Sequence, residues 1–413
     1  MRSVIWLVLL FTVAVVAALT LGDNDGLVSI YWAGWRTDLS INFFILAAVG
    51  IGFAAVTAAQ GVESLVGLPS RARQWRALRV ERGAQAALRE ALAEYFAGRY
   101  TRAQKAADRA ISLHIDAPEL RDDPSFSRLA HLLAAGSLHR LQDRSRRDSA
   151  LTQALAPGRR NATAVDEGAR LLAAEWALDD RDGHRAEELL AELPPGAARR
   201  IQALRLKLQA ARMLHRPTDA LHTAHLLANH QAFSPAAAQG LLRSLAAETL
   251  DQAHDAEQLR RLWQQLDPAD QRDPVVVARA ARRAASLGAS ADARQWLRPL
   301  WDRLDTLGSD GRAQVALALF DACAGIGPEW LPRLEAAQRV YPAEAAVQGA
   351  IGAALAERQL WGKARRPLEQ AAANDLLEPR IRRRAWRALA GLAREEGDEA
   401  RAADCDRQAA QID

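Results

Sequence analysis

The sequence contains very little cysteine: only Cys323 and Cys405, which lie 82 positions apart. There is no Cys-x-x-Cys pair and no histidine at zinc-ligand spacing, so neither a disulfide framework nor a structural zinc module is encoded. Two thiols in 413 residues also indicate a reducing compartment for most of the chain. We expect both cysteines to be small residues of a helical core.

Lysine is almost as scarce, because 51 of the 54 basic residues are arginine. The 54 bases face 50 acidic residues and leave a net charge of +4, so no large positive field is present and no nucleic-acid partner is expected. The motifs of common enzymes are absent as well: there is no G-x-S-x-G, no phosphate-binding loop and no H-E-x-x-H. Most carboxylates lie three or four residues from an arginine, which is typical of a solvated helix surface. The sequence predicts a non-catalytic protein without a cofactor or metal.

Charge is missing entirely from two long runs near the N-terminus, Ser3–Leu21 and Ile41–Ala59. Each has 19 residues, about 28 Å of helix, which nearly matches a hydrocarbon core of about 30 Å. A cleaved signal peptide is the alternative for the first run, but its apolar stretch is too long and only Arg2 precedes it. The two runs predict a transmembrane hairpin of two helices over residues 1–62.

Basic residues predict the orientation of this hairpin. The link over residues 22–40 has three aspartates and one arginine, whereas five arginines lie within residues 63–82. By the positive-inside rule the link is periplasmic and both termini are cytoplasmic, in a bacterial inner membrane. The basic segment also suits anionic lipid headgroups. Aromatic residues near the predicted interfaces are expected to anchor the chain in lipid: Trp6, Tyr31, Trp32 and Trp35.

Alternating strand patterns are almost absent beyond Arg71, where Ala, Leu, Arg, Glu and Gln recur at helical spacing. Apolar stretches of 12 to 18 residues are separated by Gly, Pro or Asp and Asn clusters, so the pattern predicts an all-α domain of short helices over residues 83–413. A small residue after the break recurs at separations of 83, 34, 73, 71 and 38 residues, close to one or two units of a repeat. These residues are Ala103, Ala186, Ala220, Ala293, Ala364 and Ala402.

The repeat resembles the tetratricopeptide repeat, a helix-turn-helix unit of 34 residues. The final unit fits best, with Trp386, Leu389, Ala390, Gly397, Ala402 and Ala409 at the family's offsets. About nine such hairpins fit into the domain, at roughly 38 residues each. We therefore expect an α-solenoid in which each hairpin packs only on its neighbours.

The whole arrangement resembles the HemY family of proteobacterial inner-membrane proteins. The similarity is carried by the segment that starts at Gly22, by Trp35 and the second span, and by Tyr95 and Ala103 in the first repeat. It implies a role in a late step of haem (protoporphyrin) biosynthesis, with ferrochelatase as an example of a partner enzyme. No G-x-G-x-x-G follows a strand, so the flavin chemistry of a namesake oxidase is not expected.

Arginines recur at offsets that line the concave side of such an array. A row of guanidinium groups there suits carboxylates, either of a partner's acidic tail or of porphyrin propionates, although an arginine-rich solvated face has the same pattern. The candidate ligand- or partner-binding residues are Arg205, Arg212, Arg282, Arg384, Arg387 and Arg394.

Two further groups are candidates. In the first repeat the same offsets give an apolar patch, suited to a partner helix or a flat macrocycle or to packing on the next hairpin: Leu88, Leu92, Tyr95 and Phe96. His222 and His225, three residues apart, are candidate haem ligands. Their offsets place them on the convex surface, and a shallow convex face is a poor pocket.

These observations favour a membrane-anchored scaffold that contacts lipids and gathers late haem-pathway enzymes. A carrier that itself binds haem or porphyrin is the first alternative. A general scaffold for envelope complexes is the second, because fold alone does not determine function.

Overall fold

The computed structural model describes residues 12–13, 15–17, 26–116, 123–156 and 164–412. Most of the predicted first span, Ser3–Leu21, lies outside these residues, and so does Trp6. The chain divides into two compact units, Met1–Arg160 and Asn161–Asp413. Apart from one pair of strands, the described residues are mainly helical, so the all-α prediction is confirmed for the domain and incomplete for the link.

The predicted link contains a β-hairpin. Strands β1 (Leu27–Trp32) and β2 (Trp35–Ser40) pair antiparallel, with Leu27 opposite Ser40 and Trp32 opposite Trp35. Ala33 and Gly34 both have positive φ, 50° and 86°, which is the geometry of the tight turn that matches strand twist. The sequence analysis missed this hairpin because an Ala-Gly turn is a weak signal and the strands are short.

One uninterrupted helix, α1, runs from Ile41 to Phe96, over 56 residues. Its first 18 residues, Ile41–Ala58, have a mean hydropathy of 2.1 and none of them is buried within the structure. By length and composition this segment can cross a membrane, and it is the one such helix among the described residues. Only one of the two predicted spans is therefore observed. The predicted domain boundaries at 62 and 82 both fall inside α1.

The first unit also contains α2 (Tyr100–Asp116), α3 (Pro124–Arg140) and α4 (Arg144–Ala154). The C-terminal part of α1 packs on α2, α2 on α3, and α3 on α4. Their contact surfaces consist largely of alanine, including Ala84 and Ala91 of α1 and Ala107 of α2, which are fully buried. Alanine on both sides permits close approach of the helix axes.

The second unit continues the alternation of paired helices. Its helices are α5 (Ala164–Asp179), α6 (Gly183–Ala191), the short α7 (Pro195–Ala198), α8 (Ile201–Met213), α9 (Pro217–Asn229), α10 (Pro235–Asp251), α11 (Ala256–Gln265), α12 (Pro274–Ser286), α13 (Ser290–Trp301), α14 (Ser309–Asp321), α15 (Leu331–Val340), α16 (Ala345–Glu357), α17 (Trp361–Ala372), α18 (Pro379–Glu395) and α19 (Glu399–Gln411). Short 3-10 turns occur at Asp270–Arg272, Leu304–Thr306 and Pro328–Trp330.

Local sequence fixes where many of these helices begin. A side-chain oxygen accepts a hydrogen bond from a backbone N–H of the first turn, which would otherwise lack a partner. Proline often follows at the first helical position, where its missing N–H costs nothing. The capping residues are Ser40, Asp123, Asp143, Asp182, Ser234, Asp255, Asp273 and Asp398.

The turn inside most pairs has one residue in the left-handed region. At Gly397, the amide of Gly397 donates to the carbonyl of Arg394 (3.0 Å) and that of Asp398 to the carbonyl of Ala393 (2.9 Å), which terminates α18. The same backbone occurs with side chains that favour it less, at φ of 53° to 62°. Those residues are Gln142, Arg181, His215 and Gln359. Sequence analysis had recognised the turn mainly where glycine marks it.

The six alanines that defined the repeat are all buried, with exposed fractions of 0 to 2%. They lie at the start of the second helix of a pair, where a larger side chain would separate it from the first helix. Gly352 of α16 has the same role, since an added Cβ would lie 2.8 Å from Cγ of Leu368 on α17. The helical-hairpin part of the fold prediction is confirmed.

The first helices of successive pairs also contact each other. In the second unit α10 packs on α12, α12 on α14, α14 on α16 and α16 on α18. One apolar core, from Leu204 to Cys405, runs through these helices. The residues that these helices turn away from the core therefore share one surface, which positions the site described below.

The left-handed turns predict that exchanging glycine and glutamine changes stability in opposite directions at two equivalent turns. Replacing Gln359 with Gly removes a Cβ–carbonyl clash, and we expect the free energy of unfolding to rise by about 0.5–1 kcal/mol. Gly397→Gln, in the equivalent turn, should lower it by about 1 kcal/mol. Thermal and urea unfolding of the full chain, followed by circular dichroism, measures both changes.

The control is Arg358→Gly, one residue earlier in the same turn. Arg358 has φ of −84°, so glycine relieves nothing there and adds chain entropy to the unfolded state. Equal stabilisation by Gly at 358 and 359 would contradict the argument from backbone strain.

Candidate anion-binding cleft

A cleft of about 570 Å³ lies on the shared surface of the first helices in the second unit. Helices α10, α12, α14 and α18 contribute to it, together with Glu378, which precedes α18. Its residues are predominantly charged, with five arginines and three carboxylates. The lining consists of Asp251, Arg279, Arg282, Arg283, Ala285, Ser286, Asp321, Glu378, Arg380 and Arg384.

Helical periodicity explains why these arginines converge. Arg279, Arg282 and Arg283 are spaced i, i+3 and i+4 on α12, so they share a face. The other face of α12, with Val277 and Ala281, is fully buried in the core. Arg380 and Arg384, four residues apart on α18, share a face for the same reason. The cleft therefore follows from two amphipathic helices whose polar sides line the same space.

Three of the arginines form ion pairs with carboxylates. Arg279 binds Asp251 through Nε (3.0 Å) and Nη2 (2.5 Å). Asp321 accepts from two guanidinium groups at once, from Nη2 of Arg380 at 2.8 Å and from Nη1 of Arg384 at 3.2 Å. The Asp321 side chain is only 10% exposed, so its charge is held between two partners rather than by water. The guanidinium of Arg384 also lies over the Phe320 ring, 4.8 Å from its centroid.

The remaining two arginines bind neutral oxygens. Nη2 of Arg282 donates to Oε1 of Gln314 (3.0 Å), and Arg283 donates to the carbonyl of Ala253 through Nε (3.2 Å) and Nη2 (2.5 Å). Nε of Arg282 is enclosed and has no hydrogen-bond partner. Burial lowers the pKa of Arg282 below its ordinary value, against the nearby Asp321 and Glu378, which raise it. Arg282 and Arg283 are thus the two arginines of the cleft without a hydrogen-bonded carboxylate.

The structure brings together two of the six predicted arginines, Arg282 and Arg384. Arg387 and Arg394 lie on the same helix as Arg384 but outside the cleft, and Arg394 pairs with Asp406. Arg205 donates to the carbonyl of Ala232 at 3.1 Å. Arg212 is exposed on α8. Of the predicted row, the structure brings Arg282 and Arg384 together with Arg279, Arg283 and Arg380, which the sequence analysis did not name. Their i, i+3, i+4 spacing was the available signal.

The two candidate haem ligands line a second cleft, of about 480 Å³, formed by α9, α10, α11 and Asp267. The sequence analysis had placed His222 and His225 on a convex face that makes a poor pocket, whereas the structure places both in the lining of this cleft. Nε2 of His225 lies 2.7 Å from Oδ2 of Asp270, a buried carboxylate. The hydrogen bond to Asp270 raises the pKa of His225, in spite of partial burial. One imidazole nitrogen is therefore already used by a carboxylate.

The predicted apolar patch in the first unit is divided. Leu88 and Tyr95 are half-buried and pack against buried residues of α2 and α3, and Tyr95 makes edge contacts with the rings of Phe96 and Tyr100. Leu92 and Phe96 are exposed, by 42% and 79%. The two exposed side chains, four residues apart on α1, are the part of the predicted patch that remains accessible.

Both cysteines are buried, as the sequence analysis predicted. Burial raises the pKa of Cys323 to about 12, so its thiol is not a nucleophile at neutral pH. No group of three or more His, Cys, Asp or Glu side chains within residues 26–116, 123–156 and 164–412 is arranged to hold a metal ion.

Comparison with known proteins gives one informative match. Residues 26–142 match the family model described as "HemY protein N-terminus", which confirms the resemblance over the β-hairpin, α1, α2 and α3. No curated protein matches the chain. Among solved structures, the chain is similar to the APC/C hetero-tetramer Cut9-Hcn1 with 14% identity, 80% of this chain and 66% of that chain covered, and a TM-score of 0.29. A TM-score of this size supports neither a shared fold nor a shared function.

The His225–Asp270 pair predicts a pH-dependent contribution to stability. Because the folded-state pKa of His225 is raised, the pair stabilises the fold fully below about pH 6.5, the unfolded value, and loses this effect as pH rises through the folded pKa. Asp270→Asn should therefore lower the pKa of His225. The stability difference between wild type and Asp270→Asn should shrink as pH rises through the folded-state pKa of His225. Histidine NMR titration and thermal unfolding at several pH values measure these quantities.

The matched control is His222→Gln, which removes the exposed imidazole of the same cleft and leaves the Asp270 contact in place. It should keep the pH dependence of the wild type. A stability difference for Asp270→Asn that grows as pH rises would show that the pair acts with the opposite sign.

Proposed function

We propose that the chain belongs to the HemY family, which the match of residues 26–142 to the model described as "HemY protein N-terminus" supports, and that it is a membrane-anchored, non-catalytic scaffold. It acts in a late step of haem biosynthesis at the bacterial inner membrane. The helical array holds partner enzymes, ferrochelatase being the example that the family suggests. The protein supplies position rather than reactive groups.

The observation that carries this proposal is the continuity of α1. An exposed apolar segment, Ile41–Ala58, and the first repeat helix belong to one helix without a break. A helix of 56 residues extends about 84 Å, which is far more than the roughly 30 Å of hydrocarbon. The remaining, C-terminal part of α1 extends the first repeat away from the bilayer. This arrangement suits a protein that presents an array of binding surfaces at a fixed distance from the membrane.

The β-hairpin supports the same placement. It directly precedes the apolar segment, since the amide of Ile41 donates to the carbonyl of Gly26 at 3.1 Å. Tyr31, Trp32 and Trp35 are 71 to 82% exposed, and such rings favour the boundary between lipid and water. In the proposal this end of α1 is periplasmic. Ser3–Leu21 then forms another span, which leaves both termini in the cytoplasm.

The composition of the cleft favours the scaffold over a carrier of haem or porphyrin. Ala285 is the one apolar residue in its lining, whereas a macrocycle needs apolar walls and would leave buried polar groups without partners. In the second cleft, His225 is held by Asp270. The arginine cleft therefore does not suit a porphyrin plane.

Affinity purification of the tagged full chain from detergent-solubilised native membranes tests the proposal. We expect late haem-pathway enzymes to be enriched. The matched variant carries Ile45→Arg and Ile51→Arg, at exposed positions of the apolar segment, where each charge costs about 2.5–3.5 kcal/mol in a bilayer. It should lose both membrane association through α1 and recovery of the enzymes.

Equal recovery of these enzymes from both chains would contradict a role for the anchor. Recovery of no haem-pathway enzyme from native membranes, or turnover of a porphyrin substrate by the purified chain alone, would contradict the scaffold itself.

A further inference from the structure

The arginine cleft of the second unit has more positive charge than its own carboxylates neutralise. We propose that this cleft, formed by α10, α12, α14 and α18, binds an acidic polypeptide segment of a partner protein through paired carboxylates. The inference rests on the proposed scaffold function and names the chemistry by which the array recognises a partner.

Charge and hydrogen bonding identify the receiving groups. Five guanidinium groups face three carboxylates, which leaves a formal excess of two positive charges. Asp251 is occupied by Arg279 and Asp321 by Arg380 and Arg384. Arg282 has only a neutral amide as its described partner, and its Nε is enclosed without one. Arg282 and Arg283 are thus the two arginines of the cleft that bind only neutral oxygens, so an incoming carboxylate would pair with their remaining N–H groups.

The opposite wall supplies a second contact. Arg380 and Arg384 each make one hydrogen bond to Asp321, and a guanidinium carries five N–H donors. Both side chains are largely accessible, with exposed fractions of 62% and 49%. Two carboxylates, one at Arg282 and one at the pair of arginines on α18, would balance the excess charge of the cleft.

The lining determines which source of carboxylates fits. Ser286 and the charged side chains of the lining provide a polar wall, against which an extended peptide can also pair its backbone N–H and C=O groups. A porphyrin would bring two propionates but would place its apolar ring against that wall. A small dicarboxylate would satisfy the charge and fill little of the 570 Å³. An acidic segment satisfies both requirements.

The test uses the full chain in non-ionic detergent and a fluorescein-labelled hexaglutamate peptide, with hexaglutamine of equal length as the neutral probe. Fluorescence anisotropy measures both affinities. We expect hexaglutamate to bind and hexaglutamine not to bind. Arg282→Met should weaken binding of hexaglutamate about tenfold or more, as for loss of a charged hydrogen bond.

Arg387→Met is the matched control, because it removes an exposed arginine of α18 that lies outside the cleft. Its affinity should stay within about twofold of the wild type. Arg282→Lys keeps the charge without the fork and should bind between the wild type and Arg282→Met. Circular dichroism of each variant establishes that the helices are intact, and Arg282→Lys keeps the test valid if Arg282→Met unfolds.

Each remaining outcome overturns the proposal. The first two are equal losses of affinity for hexaglutamate in Arg282→Met and Arg387→Met, and equal binding of the two peptides. The third is displacement of labelled hexaglutamate by glutarate at the same concentration as by unlabelled peptide. The fourth is stoichiometric displacement of the peptide by hemin. The scaffold function fails separately. Loss of peptide binding with enzymes still recovered from membranes removes only the cleft, whereas peptide binding without recovery of enzymes removes only the scaffold.

Discussion

Close packing of very small side chains between neighbouring helices is the constraint on which this fold depends. Ala103, Ala220 and Ala364 have no exposed surface, and each lies where the second helix of a pair begins. A hairpin of two short helices cannot bury its apolar face alone, so stability comes from contacts with the preceding and following hairpins. These contacts hold the first helices together, and their remaining surface carries the arginine cleft.

Much of this packing could be predicted from the sequence because it depends on local spacing. Ala186 and Ala402 were located by their distance from a turn, and both are buried. The turn at Gln142 was harder to recognise, since glutamine does not favour positive φ. Tertiary packing of the two helices holds the backbone there. The β-hairpin escaped recognition for a related reason: its turn contains Ala33, which does not ordinarily indicate left-handed backbone.

The candidate site was predictable only in part. Arg282 and Arg384 were identified as residues of one side of the array, but their meeting in one cleft depends on the packing of α12, α14, α16 and α18 over more than 100 positions of sequence. No spacing rule specifies that distance. Similarly, His225 was assigned to an open surface, because the sequence does not reveal that the 3-10 turn containing Asp270 folds back against α9.

Because α1 is unbroken, the face of the helix that contacts lipid has a fixed rotation about the helix axis relative to the face that packs in the first repeat. Each residue of an α-helix adds about 100° of rotation and 1.5 Å of rise, so the azimuth of Ile51 in the apolar segment is geometrically tied to that of Ala84 and Ala91 in the repeat packing. A single inserted or deleted residue between them would turn one set by more than a quarter of a revolution relative to the other. A flexible linker would tolerate such a change in length, but in α1 it would change the orientation of the whole first repeat relative to the apolar segment.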